Sequence, residues 1–450
     1  MGRIVSPSKV EVPHKWFNIL TALNFDIPVN LPPERSSDGV SVQLPIELVR
    51  QTVTKKRWVD IPAAVRAAYE KWRPTPLLRA EALEKYLDTP ARIYYKNEGV
   101  NVSGSHKLNT AIAQAYYYHR AGVRRLVTAT GAGQWGTAVA VACAMFGLEC
   151  GVRMVGTSFH SKPYRRTMME LYGAEVSPSP DPITKAGRQF LANHDPDSGN
   201  MALAIAESLE DTTRDGFTRF CIGSGELYSI LHQTIIGLEV KGQLSMLGEE
   251  ADVIIGSLGA GSNFGGIAAP YIADNIENGK KVRCLSVEPS ACPKLTRGEY
   301  RYDFTDSSGL TPMEKMYTLG HHFATPDIHA GGLRYHATSK LISALYHYGL
   351  VEAIAVPQTD VFASGALFLR TEGFLPAPES AHAVHGAVLE AIAARVDGIP
   401  RTIVINLSGH GYFDLAAYQS WHDGTMVDIN VTDDEIRKSL SQIPDVKCIL

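Results

Sequence analysis

Twice in this 450-residue chain an apolar strand runs into a glycine-rich turn and out into an alanine-containing helix. The first turn is Gly131-Ala132-Gly133-Gln134-Trp135-Gly136, after Leu126-Val127-Thr128-Ala129-Thr130. The second is Gly256-Ser257-Leu258-Gly259-Ala260-Gly261-Ser262-Asn263-Phe264-Gly265-Gly266. Such a turn leaves the N–H groups of a helix start uncovered, so an anion can approach them closely. It also limits topology, because parallel strands joined by helices need a sheet covered on both faces. The pattern predicts strands at Arg92–Lys96, Arg125–Thr128, Cys150–Val155, Asp252–Ser257, Val282–Val287 and Arg401–Asn406. Helices are predicted at Asn109–Ala121, Thr137–Phe146, Lys162–Leu171, from the second turn through Ile272, and at Phe413–Ser420. The expected fold class is α/β with parallel sheets.

A chain of 450 residues outgrows a single core, so two domains are expected. Residues 1–70 read as an N-terminal extension packed on the body, with an aromatic pair at Trp16-Phe17 and a loop at Pro32-Pro33. Residues 71–106, opened by the stiff Arg73-Pro74-Thr75-Pro76-Leu77, read as a crossover segment joining the C-terminal domain. Residues 107–224 form the N-terminal α/β domain and 225–450 the C-terminal one, with a composition shift at Asp195-Pro196-Asp197-Ser198-Gly199 before the boundary. A net charge of −4 offers no basic footprint for nucleic acid. The six cysteines have no CxxC or zinc-type spacing and read as reduced thiols, which points to a cytoplasmic location. Met1-Gly2…Ser6 matches a permissive myristoylation pattern and is read as coincidental. The uncharged run Leu126–Leu148 is interrupted by Gly131, Gly133 and Gly136, so no membrane span is expected.

Lys107 is the candidate reactive amine. It lies in Ser103-Gly104-Ser105-His106-Lys107-Leu108-Asn109, at the mouth of a predicted helix. A Schiff-base lysine needs a lowered pKa and an anion site nearby. The two glycine turns offer two such sites, the denser for a phosphate and the first for a substrate carboxylate. A dinucleotide fold is the rival reading, and it wants an acid roughly 20 residues beyond the turn. The first turn fails that test at Val152-Arg153-Met154-Val155; the second passes loosely, through Glu288 after Val287. Ser408, in Ser408-Gly409-His410-Gly411 after the last predicted strand, reads either as a hydroxyl for a heterocycle nitrogen or as a plain turn serine. Glu379, in Pro378-Glu379-Ser380-Ala381-His382, reads on its own as a helix N-terminal carboxylate. Its ExxH spacing to His382 has no second copy, and His321, His322, His329 and His336 fit no zinc signature, so no metal is expected.

Together these motifs resemble the β chain of tryptophan synthase, in its second, divergent subfamily, over roughly residues 70–425. Arg73-Pro74-Thr75-Pro76-Leu77, Gly104-Ser105-His106-Lys107, Thr130–Gly136, Gly259–Asn263, Glu288-Pro289…Cys292-Pro293, Gly331-Gly332-Leu333-Arg334-Tyr335-His336, Pro378–His382 and Ser408–Gly411 carry the resemblance. It implies a fold type II pyridoxal-phosphate enzyme of two doubly wound α/β domains, with the cofactor between them. Lys107 would bind the cofactor covalently beside His106. Gly259, Ala260, Gly261, Ser262 and Asn263 would cradle the phosphate, with Ala260 where the family commonly has glycine. Ser408 would face the pyridine nitrogen, a neutral partner that disfavours transamination and suits β-elimination and replacement. Thr130, Gly131, Ala132, Gly133 and Gln134 would hold the amino acid carboxylate, and Glu379 would sit on the phenolic side, a catalytic position with Lys107. The resemblance further implies a homodimer, leaves room for a monovalent cation, and leaves an α-type partner open.

One position departs from the family. Where the resemblance implies a glutamate immediately before Thr-Gly-Ala-Gly-Gln, this chain has Ala129. A positioned acid or base contributes about 10²–10⁴-fold, and a methyl group relays no proton. The leading expectation is formation of an aminoacrylate from serine, O-phosphoserine or threonine and addition of a nucleophile, indole giving tryptophan. The alternatives are a non-indole nucleophile, or a serine or threonine dehydratase that stops at elimination. A non-catalytic binding relative conflicts with the intact Lys107, glycine loop, Glu379 and Ser408, and a dehydrogenase gives no reason for Lys107.

Overall fold

The computed structural model describes residues 10–32, 42–195, 199–223, 225–307, 309 and 311–446. The myristoylation-like start, Pro33, residues 196–198 and Cys448 lie outside them. The strands in chain order are β1 (Lys15–Phe17), β2 (Trp58–Asp60), β3 (Leu77–Arg79), β4 (Arg92–Asn97), β5 (Arg125–Thr130), β6 (Glu149–Val155) and β7 (Ala174–Ser179). They continue as β8 (Thr218–Phe220), β9 (Val253–Ser257), β10 (Arg283–Pro289), β11 (Glu299–Asp303), β12 (Glu314–Thr318), β13 (Glu352–Val356) and β14 (Thr402–Leu407).

Two open sheets organise the body. Six strands in the order β13-β10-β9-β14-β4-β3 form one, parallel except for β3, and β7-β6-β5-β8 form an all-parallel second. β9 (VIIGS) and β14 (TIVINL) are buried at every residue, as strands covered on both faces must be. Helix Pro378–Asp397 packs against β9, β10 and β14, and helix Ser262–Asn278 also packs on these strands. Helix Leu227–Leu247 packs against Ser262–Asn278, against Leu108–Arg120 and against β1. One hydrophobic cluster therefore runs from Leu126 and Val152 of the smaller sheet to Ile254 and Val404 of the larger. Trp16 of β1 is fully buried in it, and the Phe17 N–H donates to Thr234 Oγ1 at 2.9 Å.

Element positions follow the sequence pattern, with shifts that have local causes. The helix expected to end at Ile272 continues to Asn278, through a polar turn closed by Gly279, whose N–H reaches the Asp274 carbonyl. The helix expected from Thr137 starts at Gln134, so half of the first glycine turn is already helix. The last predicted helix begins at Leu415 rather than Phe413, and the Asp414 carboxylate ahead of it accepts from Lys162 Nζ at 2.7 Å and Arg165 Nη2 at 2.8 Å. Glu288, the acid that loosely satisfied the dinucleotide spacing, is buried and accepts from the Leu295 and Thr296 N–H groups. It caps a short local turn instead of facing a ribose site. Among the described residues no helix is long and apolar enough to cross a membrane.

Candidate active site

Lys107 sits at the N-cap of helix Leu108–Arg120. Its loop is stitched to the loop after β14: the His106 N–H donates to the Ser408 carbonyl at 2.8 Å, and the His410 N–H to the Gly104 carbonyl at 3.1 Å. Two segments 301 residues apart in sequence are thus held as one surface, which places Lys107 and Ser408 on the same cavity. Burial lowers the pKa of the Lys107 ammonium, with the Glu379 charge opposing it. Burial, helped by the adjacent Lys107 charge, drives the His106 imidazole down to about 3, so it is neutral at ordinary pH.

The second glycine turn faces the same cavity, which Ser105, His106, Lys107, Ser257, Gly259, Asn263 and Ser408 line. Asn263 is locked: its Nδ2 donates to Ser257 O at 2.9 Å and Ser257 Oγ at 3.0 Å, and its Oδ1 accepts from Asn406 Nδ2 at 2.6 Å. Gly261 has φ +115, in the region L side chains avoid, and a Cβ there would lie 2.6 Å from Ile342 Cγ1. A Cβ on Gly259 would lie 2.7 Å from the Gly332 carbonyl oxygen. Gly261→Ala should destabilise the fold by about 1–3 kcal/mol through this strain. It should also weaken phosphate binding; thermal unfolding and a fluorescence titration with pyridoxal phosphate measure the two effects.

Glu379 is in the first turn of helix Pro378–Asp397 and is buried. Its carboxylate accepts from Gln134 Nε2 at 2.8 Å and from the Gly332 N–H at 2.7 Å, tying the first glycine turn to the Gly331–Leu333 turn. Ser408 is 5% exposed, and its Oγ is 2.7 Å from Ser380 Oγ, which also exchanges hydrogen bonds with the Gly409 backbone. Ser380 orients Ser408, yet its only signal in the sequence is its place next to Glu379. His382, the other half of the ExxH, simply pairs its Nδ1 with the Pro378 carbonyl at 2.8 Å.

A second, larger cavity of about 590 Å³ opens beside the first. The two share Lys107, Gln134, Ala260 and Gly332. Thr130, Gly131 and Ala132 line the larger one with Ala129 and Trp135, whose indole N–H donates to Thr128 Oγ1 at 2.7 Å. Gly133, at φ +94, starts the helix behind them. All the predicted site residues are therefore gathered around the junction of these cavities, or directly behind it. The polar cavity also fits the cofactor that the sequence implies. The buried Nδ1 of His106 and Oγ of Ser105 have no hydrogen-bond partner, and the glycine cradle has no room for side chains.

A charged cluster beneath the site escaped sequence reasoning. Arg73 bridges Glu98 (2.9 Å) and Glu239 (2.9 Å), and Lys96 Nζ reaches Glu239 at 2.6 Å, all four side chains without solvent exposure. Arg73 Nη1 also donates at 2.8 Å to Asn109 Oδ1, two residues after Lys107. Arg73, the neighbouring Lys96 and Glu98, and Glu239 lie in three separate segments of the sequence, so nothing local marks them as a cluster.

Comparison with known proteins gives a consistent picture. Residues 69–409 match the family described as "Pyridoxal-phosphate dependent enzyme". The chain is 49% identical to tryptophan synthase beta chain 2 of Aquifex aeolicus (strain VF5) over 428 residues, covering 94% of this chain and 99% of that one. It is 49% identical to the protein of the same name from Thermotoga maritima, covering 93% of this chain and 100% of that one. Among solved structures, the processed form of threonine deaminase isoform 2 from Solanum lycopersicum superposes with a TM-score of 0.59 at 18% identity, over 88% of this chain and 97% of that one.

Proposed function

The chain belongs to the pyridoxal-phosphate dependent enzymes and, within them, to the tryptophan synthase beta chains, and from that premise we propose that it joins indole to the three-carbon unit of L-serine, forming tryptophan. It is a fold type II, cofactor-dependent lyase of the β-replacement type. The observation that carries the substrate reading is the position of Lys107 between a polar cavity and a much larger one of about 590 Å³.

Pyridoxal phosphate supplies the electron sink for carbanion chemistry at Cα. The residues of the chain do the rest. Lys107 Nζ, with its lowered pKa, is the amine that would hold the cofactor and move the proton at Cα. Gly259, Ala260, Gly261, Ser262 and Asn263 would hold the phosphate at the start of helix Ser262–Asn278, with neutral His106 lining the same cavity. Ser408 Oγ, positioned by Ser380, would be the neutral partner of the ring nitrogen. The first-turn N–H groups from Thr130 to Gln134 take the substrate carboxylate, and Glu379 steadies that turn through Gln134. The larger cavity admits the second substrate and, with its apolar wall, keeps water away. The described cysteines are buried and unpaired, which supports a cytoplasmic setting, and we propose a homodimer, testable by light scattering.

The test is to mix holoenzyme with L-serine, follow the visible spectrum, and then add indole, a thiol, an amine or buffer alone. Indole should discharge the serine-dependent spectral change fastest and give tryptophan. Stoichiometric keto acid with no product from any nucleophile would establish a dehydratase instead.

A further inference from the structure

The larger cavity contains a carboxyl pair that the chemistry above leaves unused. Glu226, at the N-cap of helix Leu227–Leu247, and Glu314, on β12, both line it together with Lys107 and Ala129. Glu314 is anchored: Asn30 Nδ2 donates to its Oε1 at 3.1 Å, and Lys340 Nζ stands 3.9 Å from that oxygen. Glu226 has no such anchor. Its side chain makes no capping bond, and among the described residues its carboxyl has no hydrogen-bond partner. Around it the wall is largely apolar, with Val42, Leu44, Ile205, Phe220 and Ile222. A carboxyl without a partner on such a wall is costly unless a ligand brings a donor to it.

We propose that Glu226 is the catalytic group that receives the proton of the incoming nucleophile, with the anchored Glu314 as the neighbouring like charge in the same cavity. This rests on the β-replacement reading above. The largely apolar wall, with a carboxyl that has no hydrogen-bond partner among the described residues, selects a planar apolar ring bearing an N–H. When such a ring bonds to Cβ it supplies the electron pair of the new bond. It also loses one hydrogen as a proton, the pair of that broken bond staying on the ring. The proton passes to the Glu226 carboxylate, while Lys107 returns a proton at Cα, so no oxidant or reductant is needed. Lys107 and Arg334, the cations on this cavity, are poor candidates for taking that proton.

The groups facing Glu226 are Glu314 on β12, Lys340 on helix Lys340–His347, Tyr228 on its own helix, Tyr118 on helix Leu108–Arg120, and Tyr335. Burial, and then the Glu314 charge, push the Glu226 carboxyl up to about 8, with Lys340 pulling the other way. A base with a pKa near the working pH is the most effective kind.

The test preloads holoenzyme with L-serine, adds indole, and reads the rate of indole consumption across about pH 6–10. The wild-type rate should rise with pH through an inflection near about 8. Glu226→Gln should lower the plateau by about 10²–10⁴-fold and remove the inflection, and Glu226→Asp should restore the inflection. Glu314→Gln should shift it to lower pH, because a like charge is removed. A binding readout runs in parallel: calorimetric titration of indole into serine-free enzyme in two buffers should show proton exchange that Glu226→Gln abolishes. A Glu226→Gln rate within about threefold of wild type, with the inflection retained, overturns the proposal. If Glu226→Gln does not fold, an unshifted Glu314→Gln profile overturns it equally. A wild-type enzyme whose spectrum ignores serine would instead sink the β-replacement reading.

Discussion

Lys107→Ala is expected to lower turnover by about 10⁴-fold or more, at or beyond the top of the range for a single positioned acid–base group. On the proposed mechanism one amine has two tasks, holding the cofactor and moving the Cα proton, and burial lowers its pKa. The proposed phosphate cradle lies on a different element, at the start of helix Ser262–Asn278, so the variant should still bind pyridoxal phosphate noncovalently. Steady-state tryptophan formation measures the first effect. Loss of the visible band of a lysine-bound cofactor, with fluorescence-detected binding retained, measures the second. Turnover within about tenfold of wild type would remove Lys107 from the mechanism.

Glu239→Ala should be the most destabilising single change beneath the site. It would leave Lys96 without its carboxylate and Arg73 with Glu98 alone, in a place where none of these side chains meets solvent. Removing one partner of a buried ion pair costs about 3–5 kcal/mol, because the remaining charge is left uncompensated. Urea unfolding of the holoenzyme followed by circular dichroism measures it; a loss below about 1 kcal/mol would make this cluster no better than a surface pair. The same cluster gives stability an acid limit. Arg73 overcomes the burial penalty and holds the Glu98 carboxyl down at about 2, against an ordinary 4.5. The contribution of Glu98 is therefore complete above about pH 4.5 and is lost as pH falls through about 2.

Local signals were enough for several parts of the site. Gly259 to Asn263 and Thr130 to Gln134 are contiguous, and a strand–glycine–helix succession marks a candidate anion site without any tertiary information. Lys107 was legible for the same reason, at the mouth of a helix next to Gly104. Ser408 had even claims as a turn serine, and its contact with Ser380 Oγ at 2.7 Å becomes visible only when helix Pro378–Asp397 packs beside β14. Glu379 could be read as a helix-capping carboxylate, and it does occupy a first turn. What the sequence could not show is that Gln134 and Gly332 both donate to it. Glu226 drew no notice at all, because a lone glutamate before an apolar helix reads as an ordinary N-terminal charge.

By itself, the sequence determined the α/β class, the parallel strands, the two glycine turns and the place of Lys107 at the mouth of a helix. Each of these is written in neighbouring residues, through hydrophobic period, glycine placement and helix starts. The tertiary structure alone decided which distant charges meet. Arg73, Lys96, Glu98 and Glu239 form one buried cluster, and Glu226 comes to share a cavity with Lys107 and Ala129. The physical reason is that a carboxylate or ammonium acquires its chemical character from burial and from the charges brought near it, and neither exists until the chain has packed.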